Sequence, residues 1–395
     1  MISATFLVIL AYVACVLSSA NDVDLILLQE YPKAKCLDGS PGGYYHSPAP
    51  NKKWVIFLNG GGECDNKEAC LAQTKTALGS SDYFAKTHNA NFGYVTSNDC
   101  KINPDFCAYN HVFNHYCSQD LHSGQTVYPT EHTYDLHFNG HDILEAIFED
   151  LEKGGNSIAD AEEIILFGAS AGGIGVWMNL DWLAERYPNT RVTGMGIASH
   201  YFDATYYNGP NSTDPGSMAD FRREALDSTV MLYNAYVNKD CQQAFAEKGQ
   251  QAGPCLLSNN SLPYIKTPMF VVQSQTDEVV LNGHDCWPGS LMDDKPEQEF
   301  MQQWHSNMTT AVSPMMSSDD SAAHMEDGTY QYGVFAAACY THCGFSHDGP
   351  FINDMSYMQA FGNFYHQKRL KNGPETFKMQ DDCGEMCGTS CPDIN

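Results

Sequence analysis

The chain has 395 residues, of which 43% are hydrophobic, enough to bury a large core in one α/β domain with insertions. Its formal net charge of −27 excludes nucleic acid and anionic membrane surfaces as natural partners. No internal repeat or low-complexity tract interrupts it.

The chain opens with "MISATFLVILAYVACVLSSAND". Its apolar run from Phe6 to Leu17 is too short to span a bilayer, and small residues follow it up to Ala20. This reads as a secretory signal peptide over residues 1–20, without the usual positive charge at its start, followed by a single domain over residues 21–395. Of the 15 cysteines, Cys15 lies in the leader, and the remaining even number suits up to seven disulfides in an oxidising compartment. Sequons at Asn211, Asn259 and Asn307 agree with that compartment. The tail cysteines Cys383, Cys387 and Cys391 lack paired metal-site spacing and are read as disulfide partners, so no metal is assigned.

"KKWVIFLNGGGEC", Lys52 to Cys64, predicts a strand that ends in a glycine loop. Asn98 to His137 is loop-like and carries three cysteines. From His141 to Lys153 the apolar positions 143, 144, 147, 148 and 151 have helical spacing. "AEEIILFG" is a continuously apolar run, as in a parallel strand buried on both faces. "GIGVWMNLDWLAERYP" predicts a helix closing at Pro188, and "RVTGMGIASHYF" and "TPMFVVQSQTDEVV" predict two more strands. Trp287 to Tyr330 is polar and weakly patterned. Alternating strands and helices predict an α/β fold with a mostly parallel central sheet flanked by helices. Asn98–His137 and Trp287–Tyr330 are read as insertions at the sheet edge.

Between the apolar strand and the following helix stands Gly168-Ala169-Ser170-Ala171-Gly172. A serine on so sharp a turn has its hydroxyl exposed above the sheet, and glycines two residues to either side let strand and helix approach. This is the nucleophile elbow of an α/β-hydrolase, in which an acid and then a histidine follow in chain order. Asp277, just beyond a later strand, is the candidate acid, with Glu278 and then Asp285 behind it. Candidate bases are His284, His305, His324, His342 and His347. His342 stands between two cysteines, yet residue logic barely separates it from His347. His200 precedes the acid and is read as a structural or pocket histidine. Backbone N–H groups of Gly61, Gly62 and Ala171 are the candidate oxyanion donors.

At these residues the chain resembles the Notum and pectin acetylesterase family of secreted serine esterases. "WVIFLNGGGECDN", "NPDF…YNHVFNHYCSQDLHSG", "FGASAGGIGVWMNLDWLAE", "TPMFVVQSQTDEVV" and "CYTHCG" match in order, from about Trp54 to Gly344. The resemblance implies a triad of Ser170, Asp277 and His342, preferring His342 to His347, with Gly61, Gly62 and Ala171 around the oxyanion. It implies hydrolysis of a short ester through an acyl-enzyme, with no cofactor. Family members often carry an aromatic residue near the position of Gly62 or Glu63. This chain has none, and its three-glycine loop looks closer to the plant pectin acetylesterase type. The expected product is a secreted, extracellular enzyme that removes O-acetyl groups from a polysaccharide such as pectin, with a cell wall among its settings. Demethylated pectin is itself a polyanion, so a less charged acetylated polysaccharide is also a candidate substrate. A Notum-like palmitoleoyl-protein carboxylesterase and a catalytically idle binding protein on the same fold are the alternatives.

Overall fold

The computed structural model describes residues 22–126, 128–213, 221–289, 295–316, 330–367 and 376–392. The segment read as a leader, residues 1–20, and His324 lie outside them.

The strands are β1 (Asp22–Leu27), β2 (Gly43–Ser47), β3 (Lys53–Leu58), β4 (Thr87–Asn89), β5 (Asn110–Asn114), β6 (Glu163–Ala169), β7 (Arg191–Ile197), β8 (Met269–Thr276), β9 (Tyr332–Tyr340), β10 (Phe351–Ile352), β11 (Met355–Ser356) and β12 (Lys378–Gln380). Ten of them form one sheet in the order β12-β9-β8-β7-β6-β3-β5-β2-β1-β4, and β10 and β11 pair separately. From β12 to β5 every neighbouring pair is parallel. Only the β2, β1 and β4 edge is antiparallel.

Side chains alternate between the two faces of this sheet. Trp54, Ile56, Leu58, Ile164 and Leu166 enter one apolar layer. Val55, Phe57, Ile165, Phe167 and Ala169 enter the other. Both faces are covered, which is why these strands read as unbroken apolar runs.

The helices are α1 (Lys67–Gln73), α2 (Gly140–Glu152), α3 (Ala171–Arg186), α4 (Arg223–Tyr233), α5 (Lys239–Ala246), α6 (Ser258–Ser261), α7 (Lys295–Met316) and α8 (Tyr357–Tyr365). α2, α3 and α7 cover the first layer, and α8 with the aromatic segment around Phe92 and Phe106 covers the second.

Two segments differ from the sequence expectation. Asn98–His137 is not only an edge insertion: it contains β5, which lies inside the sheet between β3 and β2. Its polar residues are buried because distant backbone satisfies them. The Asn110 amide donates to the Asn51 and Lys53 carbonyls, and the His111 ring meets the Phe106 carbonyl at 2.9 Å. Trp287–Tyr330 holds the 22-residue α7, which buries Met301, Trp304, Met308, Val312 and Met315 in the core.

Six disulfides form among the described residues: Cys36–Cys117, Cys64–Cys70, Cys100–Cys107, Cys241–Cys255, Cys339–Cys391 and Cys383–Cys387. The tail cysteines thus stand in disulfides, and Cys391 ties the C-terminus to the end of β9. Asn211 and Asn307 are exposed, and Asn259 is half-buried in α6. No helix among the described residues is long and apolar enough to cross a membrane.

Candidate active site

The sheet order reverses at β3, whose neighbours β5 and β6 follow it in sequence on opposite sides. Loops leaving the carboxyl ends of β3 and β6 therefore face one crevice, the place where open α/β sheets bind ligands. Gly60-Gly61-Gly62 leaves β3 there, and Ser170 leaves β6.

Ser170 has φ 56° and ψ −129°, a costly conformation for a residue with a side chain. It occupies the position preceding α3 but makes no side-chain cap; its hydroxyl turns to His342 instead. Strand and helix cross so closely that a side chain on Gly172 would collide with the Leu58 carbonyl, and one on Gly168 with the Gly172 carbonyl. This is why the elbow carries glycine on each side of the serine.

The Ser170 hydroxyl lies 2.8 Å from His342 Nε2. His342 Nδ1 lies 2.8 Å and 2.9 Å from the two carboxylate oxygens of Asp277. The carboxylate fixes the tautomer: Nδ1–H donates to Asp277, leaving the Nε2 lone pair to accept from the serine.

Asp277 is fully buried. It follows β8 after a register shift against β9, which turns its side chain toward the crevice. Its carboxylate also accepts from the Val279 and Val280 N–H groups at 3.1 Å each and from the Gln273 amide at 3.2 Å. His342 lies just past β9, and its own N–H donates to Glu278 at 3.3 Å. Burial alone would push the imidazole pKa down. The charge and hydrogen bond of Asp277 override it and hold His342 well above its ordinary value, with Cys343 adding to the rise.

The other candidates lie elsewhere. Asp285 accepts from the Trp304 indole at 2.7 Å. His305 meets the Gln275 side chain, His347 pairs with its neighbour Asp348, and His284 pairs with Glu63. His200 is buried against the Ala311 carbonyl, and burial lowers its pKa to about 4.

Gly60 packs so tightly on the elbow that a Cβ there would come within 3.0 Å of the Ser170 Cβ. Gly61 and Gly62, with φ 148° and 73°, follow it in the loop. Among the described residues, no hydrogen bond uses the N–H of Gly61, Gly62 or Ala171. Ala171 begins the 16-residue α3, whose N-terminal dipole points at the same place.

A buried buttress supports the glycine loop. Gln119 donates its amide to the Gly61 carbonyl at 3.2 Å, and its own carbonyl accepts from Cys64. His122 Nε2–H donates to the Asn59 carbonyl at 2.8 Å. Burial lowers the His122 pKa to about 4, keeping the ring neutral, and the ring stacks on Tyr116. Asp120, whose pKa burial raises to about 6, gathers Ser118 and the Gly124 and Gly140 N–H groups. The run "YCSQDLHSG" thus braces the loop, a role that no local sequence pattern announces. Nor does local sequence announce Tyr201, whose hydroxyl donates to the Ala198 carbonyl at 2.8 Å and contacts Ser170.

A family model described as Pectinacetylesterase matches residues 16–392. The chain belongs to the pectinacetylesterase family. It is therefore a hydrolase of carboxylic esters. Pectin acetylesterase 5 of Arabidopsis thaliana is 28% identical over 95% of this chain and 87% of its own length. Pectin acetylesterase 4 of the same plant is 26% identical over 94% and 90%. Palmitoleoyl-protein carboxylesterase NOTUM of Schmidtea mediterranea is 32% identical over 64% of this chain, and that match spans about half (49%) of the planarian protein. The pectinacetylesterase glycine loop, elbow, acid strand and histidine segment all fall inside the family match.

Proposed function

We propose that the protein is a secreted serine carboxylesterase that removes O-acetyl groups from a polysaccharide such as pectin. The observation that carries the mechanism is the relay from Ser170 through His342 to Asp277, with contacts of 2.8 Å at both ends of the imidazole. His342 Nε2 takes the Ser170 proton as Oγ attacks the acetyl carbonyl, and Asp277 holds and stabilises the imidazolium. The Gly61, Gly62 and Ala171 N–H groups receive the developing oxyanion, each worth about 3 kcal/mol to the transition state. Collapse expels the sugar oxygen, which takes its proton from His342. Water, activated by the same imidazole, then attacks the acetyl-serine and releases acetate. Ser170, His342 and Asp277 supply nucleophile, base and orienting charge, so no metal or cofactor enters a step.

Secretion is supported by the leader over residues 1–20 and by six disulfides in the described chain. The polysaccharide reading is supported by plant pectin acetylesterases aligned over nearly the full length of both chains. It is supported too by Glu63, a carboxylate just beyond the glycine loop where aromatic bulk would favour a fatty chain. The 32% identity to the planarian palmitoleoyl-protein carboxylesterase favours a second reading, removal of a lipid from a protein.

Acetate release from acetylated pectin and from a neutral acetylated polysaccharide separates the two, alongside a nitrophenyl ester series from acetate to octanoate. The acetylesterase reading expects acetate from at least one polymer and a fall in kcat/KM of about tenfold or more from acetate to octanoate. Rising kcat/KM with chain length and no acetate from either polymer would support delipidation instead.

A further inference from the structure

We propose that Glu63 and His284 form a latch that sets the glycine loop against the acid-bearing turn, making them positioning residues for ester hydrolysis. The inference rests on reading Ser170, His342 and Asp277 as the acyl-transfer site.

Glu63 directly follows Gly61 and Gly62. That pair of glycines is permissive backbone, and at Gly62 nothing lies within 4 Å of where a Cβ would stand. Contacts on the flanks of the loop must therefore set its position. On one flank Gly60 packs on the elbow, and Gln119 holds the Gly61 carbonyl. On the other flank Cys64 is tied to Cys70, and the Glu63 side chain reaches a neighbouring segment.

The residue it reaches is His284, the end of the π-helical turn Val280–His284. Asp277 anchors the start of that turn through the Val279 and Val280 N–H groups. Glu63 Oε1 lies 3.6 Å from His284 Nε2, and each side chain is only 3% exposed. One side-chain pair thus joins the segment carrying the oxyanion donors to the segment carrying the acid.

Its surroundings place the pair on the serine's side of the loop. The His284 ring stacks on Phe221 at 4.3 Å and lies 6.4 Å from the Tyr201 ring. Tyr201 contacts Ser170 and feels the charges of both Asp277 and Glu63. A buried polar contact of this kind adds only modest net stability, because each group gives up water partners to make it. What the contact adds here is directional: it fixes how far the loop stands from the turn.

The test uses the full-length secreted protein with Glu63→Gln, Glu63→Leu, His284→Asn and the Glu63→Leu/His284→Asn double variant. Thermal melting reports folding, and the pre-steady-state burst with nitrophenyl acetate reports the acylation rate. Glu63→Leu and His284→Asn are each expected to slow acylation by about 10- to 100-fold, with KM changed by less than about threefold. The double variant should be about as slow as the slower single, since both substitutions remove the contact that the two residues share. Glu63→Gln keeps the volume and a polar bridge, so it should recover about threefold over Glu63→Leu. Should the leucine variant fail to fold, Glu63→Gln and His284→Asn carry the test, each expected to slow acylation by at least about threefold. The latch is overturned if folded variants keep the parental acylation rate, if the single losses multiply in the double variant, or if only KM moves. Ser170→Ala measured in parallel separates the failures. Turnover in that variant close to the parental rate overturns the site reading and the latch together, whereas its loss beside unaffected Glu63 variants overturns the latch alone.

Discussion

Ser170→Ala is expected to lower kcat for nitrophenyl acetate by about 10⁴-fold or more while leaving the fold intact. Among the described residues the Ser170 hydroxyl is the elbow group placed to form the acyl bond, and His342 Nε2, 2.8 Å away, is placed to take its proton. Residual activity would come from the N–H groups of Gly61, Gly62 and Ala171, which still polarise a carbonyl for attack by water. The backbone makes a second measurement informative. A side chain held at φ 56° and ψ −129° costs on the order of 1–3 kcal/mol, and glycine adopts that conformation without the cost. Ser170→Gly should therefore be as inactive as Ser170→Ala yet resist urea better than the parent. A less stable glycine variant would show that the elbow is not strained.

Asp277→Asn is expected to lower kcat by about 10⁴-fold, because an amide can donate to Nδ1 and force the imidazole into the tautomer that cannot accept from Ser170. The pH profile carries a separate prediction. Catalysis needs neutral His342, so kcat/KM rises with pH as that imidazole loses its proton. Asp277 holds the His342 pKa above its ordinary value, so the acid limb of the parent lies above that value. Without the carboxylate, burial is the main influence left, and it disfavours the imidazolium. The acid limb of the variant should then move to lower pH although the rate is far smaller. An unmoved limb would mean that another group controls it. A raised folded-state pKa also means that the His342–Asp277 pair stabilises the fold fully below the ordinary imidazole value. That contribution is lost as pH rises through the raised value.

The parts of this molecule that announce themselves in sequence are those whose environment is uniform. β3, β6 and β8 are buried on both faces, so "WVIFL", "IILF" and "MFVV" are unbroken apolar runs, and the strands that contain them lead to Gly60, Ser170 and Asp277. The elbow is legible because the close crossing of strand and helix forbids side chains at 168 and 172. β5 is illegible for the opposite reason. "NHVFN" is polar, and it is buried only because Asn51, Lys53 and Phe106, far off in the chain or beyond a loop, satisfy Asn110 and His111. α7 carries a helical stripe at 301, 304, 308, 312 and 315, but three of these are methionines set among glutamine, serine and threonine, with Pro314 near the end.

Within the site, local pattern leads to Ser170 and Asp277 but leaves His342 and His347 nearly level. Family resemblance and then geometry part them: His342 stands between Ser170 and Asp277, while His347 is half-exposed beside Asp348. The Glu63–His284 pair and the Gln119 brace depend wholly on tertiary proximity, and neither residue type signals its partner.

Acyl transfer in this protein passes through one oxygen atom, Ser170 Oγ, and trapping the acyl-enzyme locates it. The protein is mixed with nitrophenyl acetate, quenched in acid during the burst, digested and analysed by mass spectrometry. The account predicts a single acetyl group on the peptide spanning Phe167 to Trp177, located at Ser170 and absent from Ser170→Ala. Steady turnover with no acetyl group on that peptide, or with the acetyl group on another residue at the burst stoichiometry, would contradict it.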